Sequence, residues 1–150
     1  MLTNILRVSP RHCVITLKDR FLRLLRSSEL PDRKSSNYQQ ALRAQHAAIV
    51  GICSLVDSFP HSVEPWMPEL LANVLAERAF DPSPISTAVR RCAKNFKKTH
   101  QDTWHEDVEK FNEDQLSALS TLLTGSSYRT LARFRYYIRC RVECLSFSDA

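Results

Sequence analysis

The sequence predicts an all-α fold, an α-solenoid of stacked helix pairs, and three observations predict it. Glycine is nearly absent, with 2 in 150 residues, which suits helices and argues against Gly-rich phosphate loops and turn-dense β architectures. Apolar residues recur at helical spacing through most of the chain. Short Pro-bearing breaks interrupt that periodicity at Ser9-Pro10, Phe59-Pro60, Pro65 to Pro68 and Asp81 to Pro84.

Ser9-Pro10 reads as an N-cap followed by proline at the first helical position. Val14, Leu17, Phe21, Leu24 and Leu25 then form the apolar face of a helix that ends near Arg26 or Ser27. Ser28 to Asn37 is polar and aperiodic, a surface loop. A second helix covers Tyr38 to Ser58, with Ala41, Leu42, Ala48, Ile49, Ile52, Cys53 and Val56 in a stripe broad enough for two neighbours. Gly51 inside it costs up to about 1 kcal/mol relative to alanine, for which the close approach of another backbone is the expected compensation.

Trp66-Met67-Pro68 opens a third helix, with Pro68 tolerated in its first turn. Its buried face is Leu70, Leu71, Val74, Leu75 and Ala79. Ser83 caps a fourth helix and Pro84 begins it; Ile85, Ala88, Val89, Cys92 and Phe96 are its inner side. A polar link follows Thr99, with a short helix over Asp102 to Lys110 and with Trp104 and Phe111 as anchors. Asn112 and Gln115 form a capping box for a last helix that buries Leu116, Leu119, Leu122 and Leu123 and ends at Gly125.

Residues 126–150 differ from the rest. Five arginines stand against two acids, and Phe134, Tyr136, Ile138, Cys140 and Val142 alternate with mostly arginine positions. Alternation is a strand signal, and a lone strand beyond a helical array has no partner. The expected division is therefore 1–37 as a preceding helix and loop, 38–125 as helical repeats, and 126–150 as a divergent Arg/aromatic tail. The pair Tyr38 to Ser58 and Trp66 to Phe80 spans about the 40 residues of one HEAT-type unit. Such units bury their core against neighbours on both sides, so the first helix is expected to expose apolar surface, and the chain reads as part of something longer.

Function classes narrow quickly. The formal net charge of +5 is too small for a dedicated nucleic-acid binder. No apolar run approaches the roughly 20 residues of a membrane helix, and the N-terminus does not read as a signal peptide. The five cysteines read as free thiols, Cys53 and Cys92 as small core residues. No G-x-S-x-G, nucleotide loop or H-E-x-x-H is present, so no catalytic residues, metal ligands or cofactors are expected. Cys140 and Cys144 lack histidines to complete a zinc site, and His100 and His105 read as surface or capping residues. Arg90, Arg91, Lys94, Lys97 and Lys98 form a candidate anion-binding face on the fourth helix. A solvated face is the plainer reading of such spacing, and Lys97 and Lys98 also complement the helix dipole.

Five runs carry a resemblance: H-A-A-I-V-G-I-C-S-L-V-D-S-F-P (His46 to Pro60), P-W-M-P (Pro65 to Pro68), D-P-S-P-I (Asp81 to Ile85), F-K-K-T-H-Q-D-T-W (Phe96 to Trp104) and D-Q-L-S-A-L (Asp114 to Leu119). In this order and spacing the chain resembles the C-terminal end of the large HEAT-repeat proteasome-activator family. The resemblance implies a long, curved α-solenoid that docks on the α-ring of the proteasome core and favours gate opening without ATP. It also implies nuclear and cytoplasmic localisation, links to acetylated histones and DNA repair, and inositol phosphates in basic pockets not placed on residues here. Family members end in a hydrophobic-Tyr-X terminus that inserts between α subunits. Here the likeness runs through Ser126, Ser127 and Tyr128, the candidate docking residues, and breaks at Arg129. The break points to alternative splicing or read-through and to impaired docking. The competing expectation is a generic HEAT-repeat scaffold, or a nucleic-acid-associated adaptor using the basic helix and Arg tail.

Overall fold

The computed structural model describes residues 2–124 and is all-α. Helix α1 (Leu2–Val8) is followed by α2 (Arg11–Ser27) and α3 (Tyr38–Asp57). A helical stretch then begins as α4 (Met67–Glu69), becomes π-helical over Leu70–Leu75 and tightens to a 3-10 turn over Glu77–Phe80. Next come α5 (Ile85–Thr99), α6 (Trp104–Asp107) with a 3-10 turn over Val108–Lys110, and α7 (Glu113–Thr124).

The central element is α3. Its second half buries Ala48, Ile49, Gly51, Ile52, Cys53, Leu55 and Val56, nearly its whole circumference. That is the burial expected of a helix packed between two others, and α2 and α5 are those neighbours. The α5 helix in turn packs on the 3-10 turn and on α7, and α7 covers the π-helical segment. One large core runs from Leu25 through α3, α4 and α5 to Leu122. A smaller cluster of Leu6, Val14 and Leu55 fastens α1 and the start of α2 to the end of α3.

The N-terminus differs from the expected pattern. Ser9 does not cap α2; its hydroxyl donates to the Ile5 carbonyl at 2.8 Å and closes α1, a helix too short to show periodicity. Pro10 sits one position before α2, and its carbonyl accepts from Cys13 and Val14. Leu24 is 39% exposed and lies off the buried face, which is held by Val14 and Leu25. Ser28 ends the helix, its hydroxyl donating to the Leu24 carbonyl at 2.7 Å.

Gly51 meets a side chain and not a backbone. A Cβ at this position would lie 2.5 Å from two ring carbons of Phe21 on α2. The absent side chain is what makes room for the ring against α3.

The third predicted helix keeps its apolar face but not its geometry. Pro68 occupies the first turn as expected. Further on, the Ala76 amide donates to the Leu71 carbonyl five residues back, at 3.0 Å, and this wider turn keeps Leu70, Leu71 and Leu75 all buried. At α5 the expected cap is also corrected. Pro84 precedes the helix, no side chain caps it, and the Ser83 hydroxyl lies 3.5 Å from that of Thr87.

The capping box before α7 forms as read. The Gln115 amide donates to Asn112 Oδ1 at 2.8 Å, and Gln115 Oε1 accepts from the Asn112 amide at 3.0 Å. Asn112→Ala is therefore expected to cost about 1 kcal/mol in urea unfolding, while Asn112→Ser retains most of that. Gly125 lies outside the described residues.

Candidate docking region

The anion-binding candidates share one helix and one side of it. Arg90, Arg91, Lys94, Lys97 and Lys98 are all exposed, at spacings of one, four, seven and eight residues. The opposite side buries Ile85, Val89, Cys92 and Phe96, and α5 contains no acidic residue. Arg90 and Arg91 have local roles. Arg90 Nη2 donates to the Ala79 carbonyl at 3.4 Å, tying α5 to the end of the preceding helix. Arg91 lies beside Asp57, the last residue of α3. The face is a ridge of flexible cations suited to an acidic surface or polyphosphate.

Asp57 is half-buried, and burial raises its carboxyl above the ordinary value, against an Asn95 hydrogen bond and the Arg91 charge. The folded chain thus holds this proton more tightly than the unfolded chain. Its contribution to stability is greatest at low pH and is lost as pH rises through the folded value. Asp57→Asn is expected to flatten this part of the pH profile and to gain on the parent between pH 3 and pH 7. Chemical denaturation at both pH values checks this; an equal difference at the two would refute it.

His100 is not a surface residue. It is 2% exposed at the end of α5, stacked on Phe96 with ring centroids 4.3 Å apart. Its Nδ1 lies 3.0 Å from the Thr99 hydroxyl and 3.1 Å from the Phe96 carbonyl. His105 is exposed, as read, and lies 3.4 Å from Glu106. Trp104 then meets Phe96 edge-on at 6.4 Å and Phe111 at 5.8 Å. This aromatic chain bolts α5 to the turn before α7. Phe96, His100 and Trp104 are the packed positions of the F-K-K-T-H-Q-D-T-W run, and the spacing of four between them was its legible signal. Below it, buried Asp107 accepts from Thr103 Oγ1 at 2.8 Å and from Lys110 Nζ at 2.9 Å, a clamp that sequence reading missed.

Cys53 and Cys92 face each other across α3 and α5, both buried as expected, and Cys53 Sγ donates to the Ala88 carbonyl at 3.8 Å. The hydrogen bond with Cys53 and burial push the Cys92 thiol well above the ordinary range, so it is a packing residue and not a nucleophile. Among the described residues no helix is long and apolar enough to cross a membrane, and no group of three or more His, Cys, Asp or Glu could hold a metal ion.

The candidate residues Ser126, Ser127 and Tyr128 lie outside the described residues, as do Cys140 and Cys144. What is described is their approach: α7, capped at Asn112 and held by buried Leu119 and Leu122, packs on α5 and the π-helical segment.

The family described as "Proteasome activator complex subunit 4-like, C-terminal" matches residues 42–130, from α3 across Tyr128. The chain belongs to this family. Proteasome activator complex subunit 4 of Homo sapiens is 40% identical over 84 residues, covering 56% of this chain. Proteasome activator subunit 4 of Arabidopsis thaliana is 35% identical over 97 residues, 65% of the chain. Proteasome activator BLM10 of Saccharomyces cerevisiae is 26% identical over 117 residues, 77% of the chain. The matches cover only 4% of the human relative's length and 5% of the other two. The chain thus corresponds to a small C-terminal part of the proteasome activators it resembles. Helices α1 and α2 precede the family match and are joined to it through Phe21 on Gly51.

Proposed function

We propose that this chain is a non-catalytic docking module of an ATP-independent proteasome activator, with Ser126, Ser127 and Tyr128 directed at the α-ring of the core particle and gate opening as the outcome. The observation that carries this reading is the family match, which extends through residue 130 and so includes Tyr128. A Tyr ring seated in a pocket, with a nearby carboxylate on a basic partner, would supply most of the affinity. Here Arg129 follows Tyr128, so the hydrophobic-Tyr-X pattern is interrupted and docking is weakened. Acetylated histones and residence in nucleus and cytoplasm belong to the same reading, through a longer protein.

The test uses purified core particles and a fluorogenic peptide. The chain as it stands is compared with one cut after Tyr128 and ended in Tyr-Ala. The trimmed chain is expected to bind and stimulate, and Tyr128→Ala within it to weaken binding by about tenfold or more. Equal binding by both chains, or no effect of Tyr128→Ala, would remove Tyr128 from the mechanism.

The exposed basic side of α5 favours a second reading, an adaptor for an acidic or nucleic-acid partner. An affinity for RNA that falls steeply with salt, and is lost on charge reversal at Lys94 and Lys98, would support it.

A further inference from the structure

Phe80 is 70% exposed, and among the described residues beyond α2 it is the one large apolar side chain so far out in solvent. It ends the 3-10 turn over Glu77–Phe80, just before the chain turns toward α5. Arg90 Nη2 reaches the carbonyl of the adjoining Ala79 at 3.4 Å, which places Phe80 at the Arg90 end of the basic ridge. From there Lys94 and Lys98 follow at one-turn intervals, both exposed, and the row from Arg90 to Lys98 is roughly 12 Å long. No carboxylate of α5 itself neutralises this row. The Phe80 end carries the opposite sign: Glu77 is exposed, and Asp81 is paired with Arg78 at 3.2 Å.

We propose that Phe80 and the row Arg90, Lys94 and Lys98 together bind an extended acidic peptide, with an apolar residue of the peptide on the Phe80 ring and its carboxylates along α5. The proposal rests on the second reading above and narrows it to one class of partner. Charge complementarity selects a polyanion. The place of the aromatic ring selects a peptide over a nucleic acid. A nucleic-acid strand alternates base and phosphate, so its site interleaves stacking rings with cations along the strand. Here the strongly exposed ring stands at one end of the cations, and the carboxylates of Glu77 and Asp81 beside it oppose a phosphate. A peptide sets an uncharged apolar residue at that end and keeps its acids for the ridge. An extended chain advances about 3.3 Å per residue, so about four residues span the row. Exposed lysines steer an acidic partner but each adds little affinity, so burial of the Phe80 ring decides how tightly it is held.

The test is fluorescence anisotropy on the whole chain with labelled probes. One probe is a leucine joined to about six glutamates, enough to span the row, with the leucine at either end in turn. The second has glutamate in place of the leucine, and the third is an oligouridine of the same charge. The leucine peptide is expected to bind about tenfold more tightly than the all-glutamate one. Phe80→Ala should erase that advantage, and at an exposed site it leaves the fold intact. Charge reversal at Lys94 and Lys98 should weaken both peptides by about tenfold or more. Equal binding of the two peptides, or an advantage that survives Phe80→Ala, overturns the proposal and leaves the second reading standing. Tighter binding of the oligouridine than of the leucine peptide also overturns it and assigns the ridge to a nucleic acid. Absence of binding by every probe removes the second reading together with the proposal.

Discussion

Gly51→Val is expected to destabilise the chain by about 3 kcal/mol, at the upper end for overpacked sites. The cause is geometric. The Phe21 ring occupies the space that any side chain at position 51 would need, with carbons at 2.5 to 2.7 Å from a Cβ. Even alanine brings a conflict, because the up to 1 kcal/mol it returns in helix propensity is set against moving a half-buried ring. The two effects separate in a double-mutant cycle. In a Phe21→Ala background Gly51→Ala should become stabilising, because the propensity gain remains and the collision is gone. Urea unfolding checks all four chains. A Gly51→Val chain as stable as the parent would show that α2 does not pack on α3 in this way.

Phe96→Ala has the largest expected effect, roughly 3–5 kcal/mol. The ring is 2% exposed, stacked with His100 and edge-on to Trp104, so its loss opens a cavity and unseats two partners at once. The total stability of a domain is of the order of 5–15 kcal/mol, so this one change removes a large part of it. The expected signature is a lower unfolding midpoint together with red-shifted Trp104 emission. Phe80→Ala is the control: at 70% exposure that ring contributes little, and a change below about 0.5 kcal/mol is expected. Comparable losses at both positions would contradict the burial pattern.

Most of the fold was legible because proline and short polar residues punctuate the chain at the points where helices stop. Tyr38, Phe59-Pro60 and Asn112-Gln115 mark boundaries that the backbone follows within about a residue. The misreadings have physical causes. Ser9 and Ser83 have the composition of caps, yet the Ser9 hydroxyl is taken by the end of the helix before it and Ser83 is left facing Thr87. Leu24 and Leu25 both suit one stripe, and only packing decides which of two adjacent leucines turns inward. The π-helical turn at Leu71 and Ala76 arises from the need to bury neighbouring leucines against α7, a tertiary demand with no local sequence mark. His100 is the C-cap of α5, the capping half of its reading, but its burial was not legible, because a polar type near a helix end suggests solvent while Phe96 one turn earlier holds it inside.

The candidate docking site was less legible than the fold. The basic residues of α5 were found by spacing alone, and the structure brings all five to one exposed side. What charge spacing could not reveal was that Arg90 and Arg91 are also engaged, one with the Ala79 carbonyl and one beside Asp57. Ser126, Ser127 and Tyr128 were reached through family resemblance, and no periodicity would have pointed to them.

The order of contacts has a kinetic consequence. Of the principal pairings, α2 with α3 and the 3-10 turn over Glu77–Phe80 with α5 join elements adjacent along the chain, while α3 with α5 and α7 with the π-helical segment close over the helices between them. The segments closed by the adjacent pairings are short, so little entropy is lost there before contact energy is gained. Chains rich in such local contacts fold quickly, in microseconds to milliseconds for helical examples. During synthesis α2 and α3 can meet, Phe21 on Gly51, before α5 has been made.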